Sequence, residues 1–225
     1  MSKTQETTIV QSKDDNFAQV SKFTRENQKS LLFIASAIVA MILVYVLYQK
    51  LYLAPRETKA ADQMHVAQDF WAKKDWDKAI KGDAGYPGFE KIITEYSNTK
   101  AANLACFYLG VAYLNKGEYR KAIENLNNYR GDDVMVAAEA YGNTGDAYVE
   151  LKDYSNAASY FKKASDKASN SFLSPVYLKK LGLVYEAQND NKSAVDAYKS
   201  IKTDYPTSAE AQSIDAYIAR VEAKL

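Results

Sequence analysis

An uninterrupted apolar run, LLFIASAIVAMILVYVLY, occupies residues 31–48 and contains no charged residue, proline or glycine. Ser36 carries its one aliphatic hydroxyl, which can hydrogen-bond to the preceding helical turn. At about 1.5 Å of rise per residue, a helix of this length nearly crosses the roughly 30 Å hydrocarbon core of a bilayer. We therefore predict a single transmembrane helix over residues 31–52.

Two other interpretations of this run fit the sequence less well. A signal peptide begins near a basic N-terminus and ends at a small-residue cleavage site, whereas polar residues 1–30 precede this run and it ends in Tyr45, Tyr48 and Tyr52. Such tyrosines are typical of the aromatic belt at a membrane–water interface. A buried core helix would carry a polar stripe, and none is visible. The run is therefore expected to anchor the chain.

The segment before the span, residues 1–30, is expected to be a cytoplasmic tail. The composition of residues 1–15 predicts disorder. An i, i+3, i+6 spacing of apolar residues predicts a short amphipathic helix over residues 17–29 on the membrane surface. Basic residues near the span number four before it and three after it, which favours a cytoplasmic N-terminus only weakly. The residues expected to dock at the membrane are Phe17, Val20, Phe23, Arg25, Lys29, Tyr45 and Tyr48.

Composition after the span excludes several functions. From Glu57 onward the chain has 22 basic and 24 acidic residues, so it lacks the positive charge that nucleic-acid binding needs. The single Cys106 cannot form an internal disulfide, lies in an apolar helical pattern and is predicted to be a small core residue. The single His65 has no second histidine or cysteine with which to bind a metal.

Motifs for catalysis are missing from the sequence. It contains no G-x-S-x-G, P-loop, dinucleotide fingerprint or HExxH motif. We therefore predict a protein that is not an enzyme and that uses no cofactor, metal or small-molecule substrate.

Three segments after the span superpose on one another. Each carries Gly-x-x-Tyr on a predicted first helix and Ala, followed four residues later by an aromatic residue or Leu, on a second. The pattern resembles the tetratricopeptide repeat, in which small residues let two helices approach closely and aromatic residues fill the gaps. The matching residues are Leu109, Gly110, Tyr113, Ala122 and Leu126, then Gly145, Tyr148, Ala157 and Phe161, then Leu181, Gly182, Tyr185, Ala194, Tyr198 and Pro206.

A degenerate first copy and a last helix complete the repeats. Residues 81–88, KGDAGYPG, are a turn-rich insertion that either splits or lengthens the second helix of the first copy. Thr207 and Glu210 are spaced as a capping box that opens a final helix. We predict an all-α fold in which the transmembrane helix is followed, over residues 57–225, by an α-solenoid. Its parts are four helical hairpins at about residues 60–98, 103–137, 138–172 and 175–208, and a capping helix at residues 208–225.

Such a solenoid presents a concave surface made by the first helix of each hairpin. If Gly110 is position eight of its repeat, positions two, five, nine, twelve and thirteen form this groove. The resulting candidates for partner binding are Met64, Gln68, Trp71, Leu104, Phe107, Val111 and Leu114, and the third hairpin adds Glu139, Gly142, Asp146, Val149 and Glu150. The groove is thus predicted to be apolar near the span and acidic further away, which suits an extended or helical partner segment. Alternatively, neighbouring helices or the insertion cover these residues.

The order of parts resembles the ancillary SecYEG translocon subunit family of bacterial inner-membrane proteins. The resemblance rests on the approach to the span, FTRENQK at residues 23–29, and on the small-residue helix at residues 60–67. It implies an accessory of the Sec translocon whose periplasmic domain binds a membrane-anchored periplasmic chaperone or emerging chains. The chain departs from that family in its more regular repeats and in the insertion. The alternative is a membrane-anchored scaffold for envelope assembly or cell division.

Overall fold

The computed structural model describes residues 22–225, and the predicted all-α solenoid is confirmed. No strand forms in this range, where Gly82 and Pro87 make an isolated antiparallel bridge. The α-helices are α1 (Gln28–Leu47), α2 (Ala54–Ala72), α3 (Trp76–Lys81), α4 (Phe89–Glu95), α5 (Lys100–Asn115), α6 (Tyr119–Asn128), α7 (Val134–Glu150), α8 (Tyr154–Ala168), α9 (Ser174–Ala187), α10 (Asn191–Asp204) and α11 (Ile214–Glu222). The predictions for Phe17, Val20 and residues 1–15 lie outside the described residues.

The chain divides into two compact units, Met1–Pro55 and Arg56–Leu225. In the first unit, α1 has no buried residue, and the Ser36 hydroxyl donates to the carbonyl of Phe33 at 2.8 Å. In the described part of the chain, one helical run, Gln28–Ala72, is long and apolar enough to cross a membrane.

A π-helix, Tyr48–Leu53, follows α1. The N–H of Ala54 donates to the carbonyl of Gln49, five residues earlier, instead of four. Pro55 has no N–H to donate, so the regular α-helical pattern cannot continue unchanged at that point. The wider π turn directly before Pro55 coincides with this interruption.

Four hairpins and the last helix, α11, make up the second unit. The first is α2 with α3 and α4, and the others are α5 with α6, α7 with α8, and α9 with α10. Of the two possibilities for the insertion, splitting is correct, because residues 82–88 separate α3 from α4. The Asp83 carboxylate accepts hydrogen bonds from the N–H groups of Gly85 and Tyr86 at 3.0 and 3.1 Å, which closes the loop. The first residue of α4, Phe89, is fully buried, so the helix contributes to the hydrophobic core directly after the insertion.

The same turn joins the two helices of each hairpin. One residue in each turn has a positive φ between 59° and 76°, and the N–H of the next residue donates to the carbonyl five residues before it. In the first, third and fourth hairpins that next residue is an aspartate, whose carboxylate caps the second helix. The residues with positive φ are Lys74, Gly117, Lys152 and Asn189, and the capping aspartates are Asp75, Asp153 and Asp190.

Close approach at one glycine in each of the last three hairpins determines how their two helices pack. A Cβ atom at Gly182 would lie 2.2 Å from the ring of Tyr198, which is fully buried on the second helix of the same hairpin. Gly145 has the same relation to Phe161, at 2.7 Å. The small residue therefore makes room for the buried ring, as the repeat pattern predicted.

The predicted capping box at Thr207 and Glu210 is wrong. The hydroxyl of Ser208, not that of Thr207, makes the local hydrogen bonds. It accepts from the N–H of Ala211 at 3.2 Å and donates to the carbonyl of Tyr205 at 2.8 Å. This turn continues only as a short 3-10 helix, Glu210–Gln212. The last helix, α11, begins at Ile214 and buries that side chain completely, so core packing sets its start.

Glu57 ties the start of α2 to the start of α5. Its two carboxylate oxygens accept hydrogen bonds from the N–H groups of Lys100 and Ala101, at 2.6 and 2.9 Å. Thr99 accepts from the N–H of Ala102 at 3.1 Å. The first N–H groups of a helix have no partner within it, and a carboxylate there also complements the helix dipole.

We expect Glu57→Ala to lower the free energy of unfolding by about 1–2 kcal/mol, because the cap is lost. Asp62→Ala, at an exposed position on the same helix, should change it by no more than about 0.5 kcal/mol. Thermal unfolding of the full chain in detergent micelles, followed by circular dichroism, measures both. Equal effects of the two substitutions would contradict a capping role for Glu57.

Gly182→Val should cost about 2 kcal/mol or more, because the added side chain overlaps the fully buried ring of Tyr198. Ala187→Val, at an exposed position on the same helix, should cost only about 0.5 kcal/mol, its loss of helix propensity. The same unfolding measurement separates the two variants. A Gly182→Val chain as stable as Ala187→Val would show that close approach is unimportant here.

Candidate functional site

The groove is the concave surface lined by the first helix of each hairpin, α2, α5, α7 and α9. Two side chains predicted to line the groove, Met64 and Phe107, are buried, with 6% and 7% exposure, and Gly142 of the third hairpin is also buried, against the ring of Tyr177. Phe107 packs with Leu126 of its own hairpin and Ala140 of the next one. The structure corrects the prediction for these two side chains, because they fill the interior of the solenoid and are not available to a partner.

The other predicted apolar residues of α2 and α5 remain partly exposed. Leu104 and Val111 pack at the edge of the cluster that contains Phe107, and Leu114 packs at the edge of the first-hairpin core, as does Trp71. Gln68 is also partly buried. Each of these side chains has one side on the core and another accessible to solvent. The apolar part of the groove is formed by Trp71, Leu104, Val111 and Leu114.

Trp71 belongs to a cluster of aromatic rings that the sequence did not reveal. Its ring centroid lies 5.2 Å from that of Tyr108 and 6.0 Å from that of Trp76, both edge to face. Tyr108 in turn stacks on Phe89 at 5.5 Å. Edge-to-face and offset-stacked contacts are the favoured arrangements of aromatic pairs. The cluster therefore holds Trp71 in a fixed orientation at the groove.

Carboxylates dominate the groove on the third hairpin. Asp146 forms an ion pair with Lys180 at 2.7 Å, whereas Glu150 accepts a hydrogen bond from the hydroxyl of Tyr119 at 3.1 Å. Glu139 forms no ion pair within residues 22–225. Burial, with a smaller contribution from the charge of Asp133, raises the pKa of Glu139. This part of the groove has carboxylates that a cationic partner would stabilise.

The last helix, α11, packs at the C-terminal end of the solenoid. Glu186 of α9 accepts hydrogen bonds from Tyr198 at 2.7 Å and Arg220 at 2.5 Å, and Lys224 lies 3.3 Å from its second oxygen. Burial acts to raise the pKa of Glu186, but the hydrogen bonds from these three side chains outweigh it and hold the pKa below its usual range. The capping helix is therefore attached by an ion-pair network.

Several of these contacts join residues one repeat apart. Lys180 follows Asp146 by 34 residues, and Arg220 follows Glu186 by the same interval. Residues that are one repeat apart occupy equivalent positions on neighbouring hairpins, so their side chains can meet. A search for opposite charges at this interval would have identified both pairs in the sequence.

Neither His65 nor Cys106, the single histidine and the single cysteine of the sequence, belongs to a metal site in the described residues. No group of three His, Cys, Asp or Glu side chains suited to a metal occurs in the described range. His65 is exposed and lies 3.7 Å from Asp69. Cys106 is buried, and burial raises the pKa of its thiol, so the thiolate form needed for reactivity is disfavoured.

The predicted membrane-docking residues within the described range are exposed. Near the start of α1, these residues are Phe23, Arg25 and Lys29, which lie within four residues of Asn27 in sequence. The side-chain amide of Asn27 donates to the carbonyl of Phe23 at 3.0 Å. This bond lies between the helical residues 22–26 and the start of α1.

The tyrosines at the other end of α1 also make specific contacts. The hydroxyl of Tyr45 accepts a hydrogen bond from Gln49 at 3.0 Å. The ring of Tyr48 stacks on Tyr52, with centroids 5.3 Å apart. Exposed tyrosines with a polar tip suit an interface where one side is apolar and the other is wet.

Comparison with known proteins identifies the repeats. Residues 107–172 and 180–208 match models of the tetratricopeptide repeat. The uncharacterized protein ycf37 of Guillardia theta is 33% identical over 114 residues, which cover 49% of this chain and 62% of that protein. The chain thus spans less than two thirds of this relative. It carries tetratricopeptide repeats, a fold typical of protein–protein interaction.

Solved structures share the fold. A crystal structure of MamA superposes with a TM-score of 0.57 at 22% identity, covering 73% of this chain and 82% of that one. A crystal structure of TPR-like repeats from Podosopora anserina superposes with a TM-score of 0.54 at 13% identity, covering 74% of this chain and 87% of that one. At these identities the likeness concerns the fold alone.

The Glu186 network predicts a pH dependence. Because its folded-state pKa is lowered, the carboxylate stabilises the fold above the ordinary pKa of 4.5 and loses this effect as pH falls through the folded-state value. Glu186→Gln should therefore lower Tm near neutral pH but have little effect at about pH 2.5. Thermal unfolding at both pH values measures this. Glu210→Gln, outside the network, serves as the control, and a pH-independent effect of Glu186→Gln would contradict the prediction.

Proposed function

We propose that this tetratricopeptide protein is a non-enzymatic interaction subunit, held in a membrane by α1, whose groove binds an extended or helical segment of a partner protein. The observation that carries the proposal is the composition of the groove. Partly exposed apolar side chains on α2 and α5 adjoin Glu139 and Glu150 on α7, two carboxylates that form no ion pair within the described chain.

The groove favours a particular chemistry in its partner. Leu104, Val111 and Leu114 each have an exposed side that an apolar side chain of the partner would cover. Glu139 and Glu150 would be stabilised by lysine or arginine side chains of the same partner segment. The proposed occupant is therefore an amphipathic segment with a basic face.

The proposed location is the bacterial inner membrane, with a cytoplasmic N-terminus and a periplasmic solenoid. The run Gln28–Ala72 supports one membrane span by its length and composition. The small excess of basic residues before the span agrees with this orientation.

The proposed partners are the Sec translocon and a membrane-anchored periplasmic chaperone or the chains emerging from the translocon. Support comes from the resemblance of residues 23–29 to the ancillary translocon subunit family. In the structure this segment is exposed at the start of the apolar helix, where a membrane partner could contact Phe23, Arg25 and Lys29.

Photo-crosslinking in cells tests the proposal. A benzoylphenylalanine residue in place of Asn115, an exposed groove position, should capture a Sec subunit or a membrane-anchored chaperone. The same residue in place of Ser159, exposed on the outer helix α8, serves as the matched control. Glu139→Lys with Glu150→Lys should lower capture from Asn115 by about tenfold or more, because like charges would then face the basic segment.

Three other outcomes are informative. Selective capture of envelope-assembly or cell-division proteins from Asn115 would favour the scaffold function over the Sec function. Equal capture from Asn115 and Ser159 would show that binding is not directed to the groove. Capture that is unchanged by the two lysine substitutions would contradict a basic partner segment.

A further inference from the structure

A cavity of about 520 Å³ opens where the second and third hairpins meet. None of the residues that line it is a groove position. They come from the end of α6, the loop that follows it, the first half of α7 and the last turn of α8. Its volume lies in the range typical of ligand-binding pockets, roughly 300–1,000 Å³. The cavity is therefore a candidate for a second site, separate from the groove positions.

Two cations line this cavity, Arg130 and Lys167, and neither forms an ion pair with a described residue. The guanidinium of Arg130 donates to the carbonyls of Asn127 and Tyr129, which hold it in place. By contrast, Lys162 on the same helix as Lys167 is paired with Asp166. The cavity thus keeps two positive charges whose natural complement is an anion.

Acidic residues next to Arg130 in sequence do not neutralise the cavity. Asp132 and Asp133 follow it in the loop, but neither lines the cavity. The carboxylate of Asp133 accepts a hydrogen bond from the N–H of Val136 at 2.9 Å, which caps α7. It therefore already has a structural role.

Neutral side chains complete the site. Asn127 accepts a hydrogen bond from the hydroxyl of Tyr160 at 3.0 Å, which fixes its amide and leaves the NH₂ group as a donor. Tyr141 is 36% exposed and lines the cavity beside the small side chains of Ala137 and Ala140. This combination provides room and an aromatic surface for an apolar group next to the cations.

We propose that this cavity binds a partner segment in which a carboxylate side chain adjoins an aromatic or aliphatic side chain. Arg130 and Lys167 pair with the carboxylate, the amide of Asn127 donates to it, and the adjoining side chain packs against Tyr141. The groove and the cavity then have opposite charge preferences, because the groove carries Glu139 and Glu150. The chain can accordingly hold a basic segment and an acidic segment at the same time.

Binding of short peptides to the full chain in detergent micelles tests this site. The probes are fluorescein-labelled tetrapeptides, acetylated and amidated, in which glutamate follows Phe, Tyr or Leu, and a matched set with glutamine in place of glutamate. Fluorescence anisotropy titrations give their dissociation constants. At least one glutamate peptide should bind saturably, and about tenfold or more tightly than its glutamine counterpart.

Variants locate the binding. Lys167→Gln and Arg130→Gln should each weaken binding of the glutamate peptide by about tenfold, whereas Lys192→Gln and Arg120→Gln, exposed elsewhere on the solenoid, should leave it unchanged. Because Arg130 also holds its loop, Lys167→Gln is the decisive variant. Tyr141→Ala should weaken binding, and Tyr86→Ala, an exposed tyrosine in the insertion, should not.

The proposal would be overturned by any of three results. They are the absence of saturable binding by every glutamate peptide, equal binding of the glutamate and glutamine peptides, and a Lys167→Gln chain that binds like Lys192→Gln. The lysine substitutions at Glu139 and Glu150 in the groove should leave this binding intact. A cavity that fails this test would leave the proposed role of the groove untouched.

Discussion

Contact between a buried side chain on one helix and a glycine on its partner determines the geometry of every full repeat in this protein. Tyr198 against Gly182, Phe161 against Gly145 and Leu126 against Gly110 are three instances of one arrangement. The absence of a Cβ atom lets the helices approach closely, and the large side chain then fills the gap between them. Because these three hairpins have the same internal packing, they can stack with a similar relation to one another, as in other helical-repeat proteins.

Polar side chains attach the two ends of the solenoid to this regular interior. Glu57 on α2 accepts from the first N–H groups of α5, and Glu186 accepts from three side chains, one on α10, one on α11 and one just after α11. Terminal repeats lack a neighbour on one side and need such additional contacts. The first hairpin also differs because its insertion divides the second helix, although Phe89 restores the packing immediately afterwards.

The two proposed binding functions rest on surface shape and charge. The groove combines partly exposed apolar residues with carboxylates, whereas the cavity between the second and third hairpins combines Arg130 and Lys167 with tyrosine and alanine. Surfaces of opposite charge on one rigid scaffold suit the recruitment of two different segments. Attachment of the scaffold to a bilayer would raise the effective concentration of membrane-bound partners around both surfaces.

Much of the fold was predictable because tetratricopeptide packing depends on residue size at a fixed period. Gly110, Gly145 and Gly182 identified the repeats, and the uncharged run at residues 31–48 identified the apolar helix. The candidate site was predicted only in part. Of the apolar groove positions, Leu104, Val111 and Leu114 stay partly exposed, but Met64 and Phe107 are buried.

The sequence by itself thus determined the helical class, the repeat and the apolar segment at residues 31–48, since each depends on local patterns of size and polarity. Only the tertiary structure decided which groove side chains are buried in the core, where α11 starts, and which charged side chains form no ion pair. Those properties depend on contacts between hairpins. A side chain such as Phe107 is covered or exposed according to what the next hairpin places beside it, here Ala140, and no single repeat contains that information.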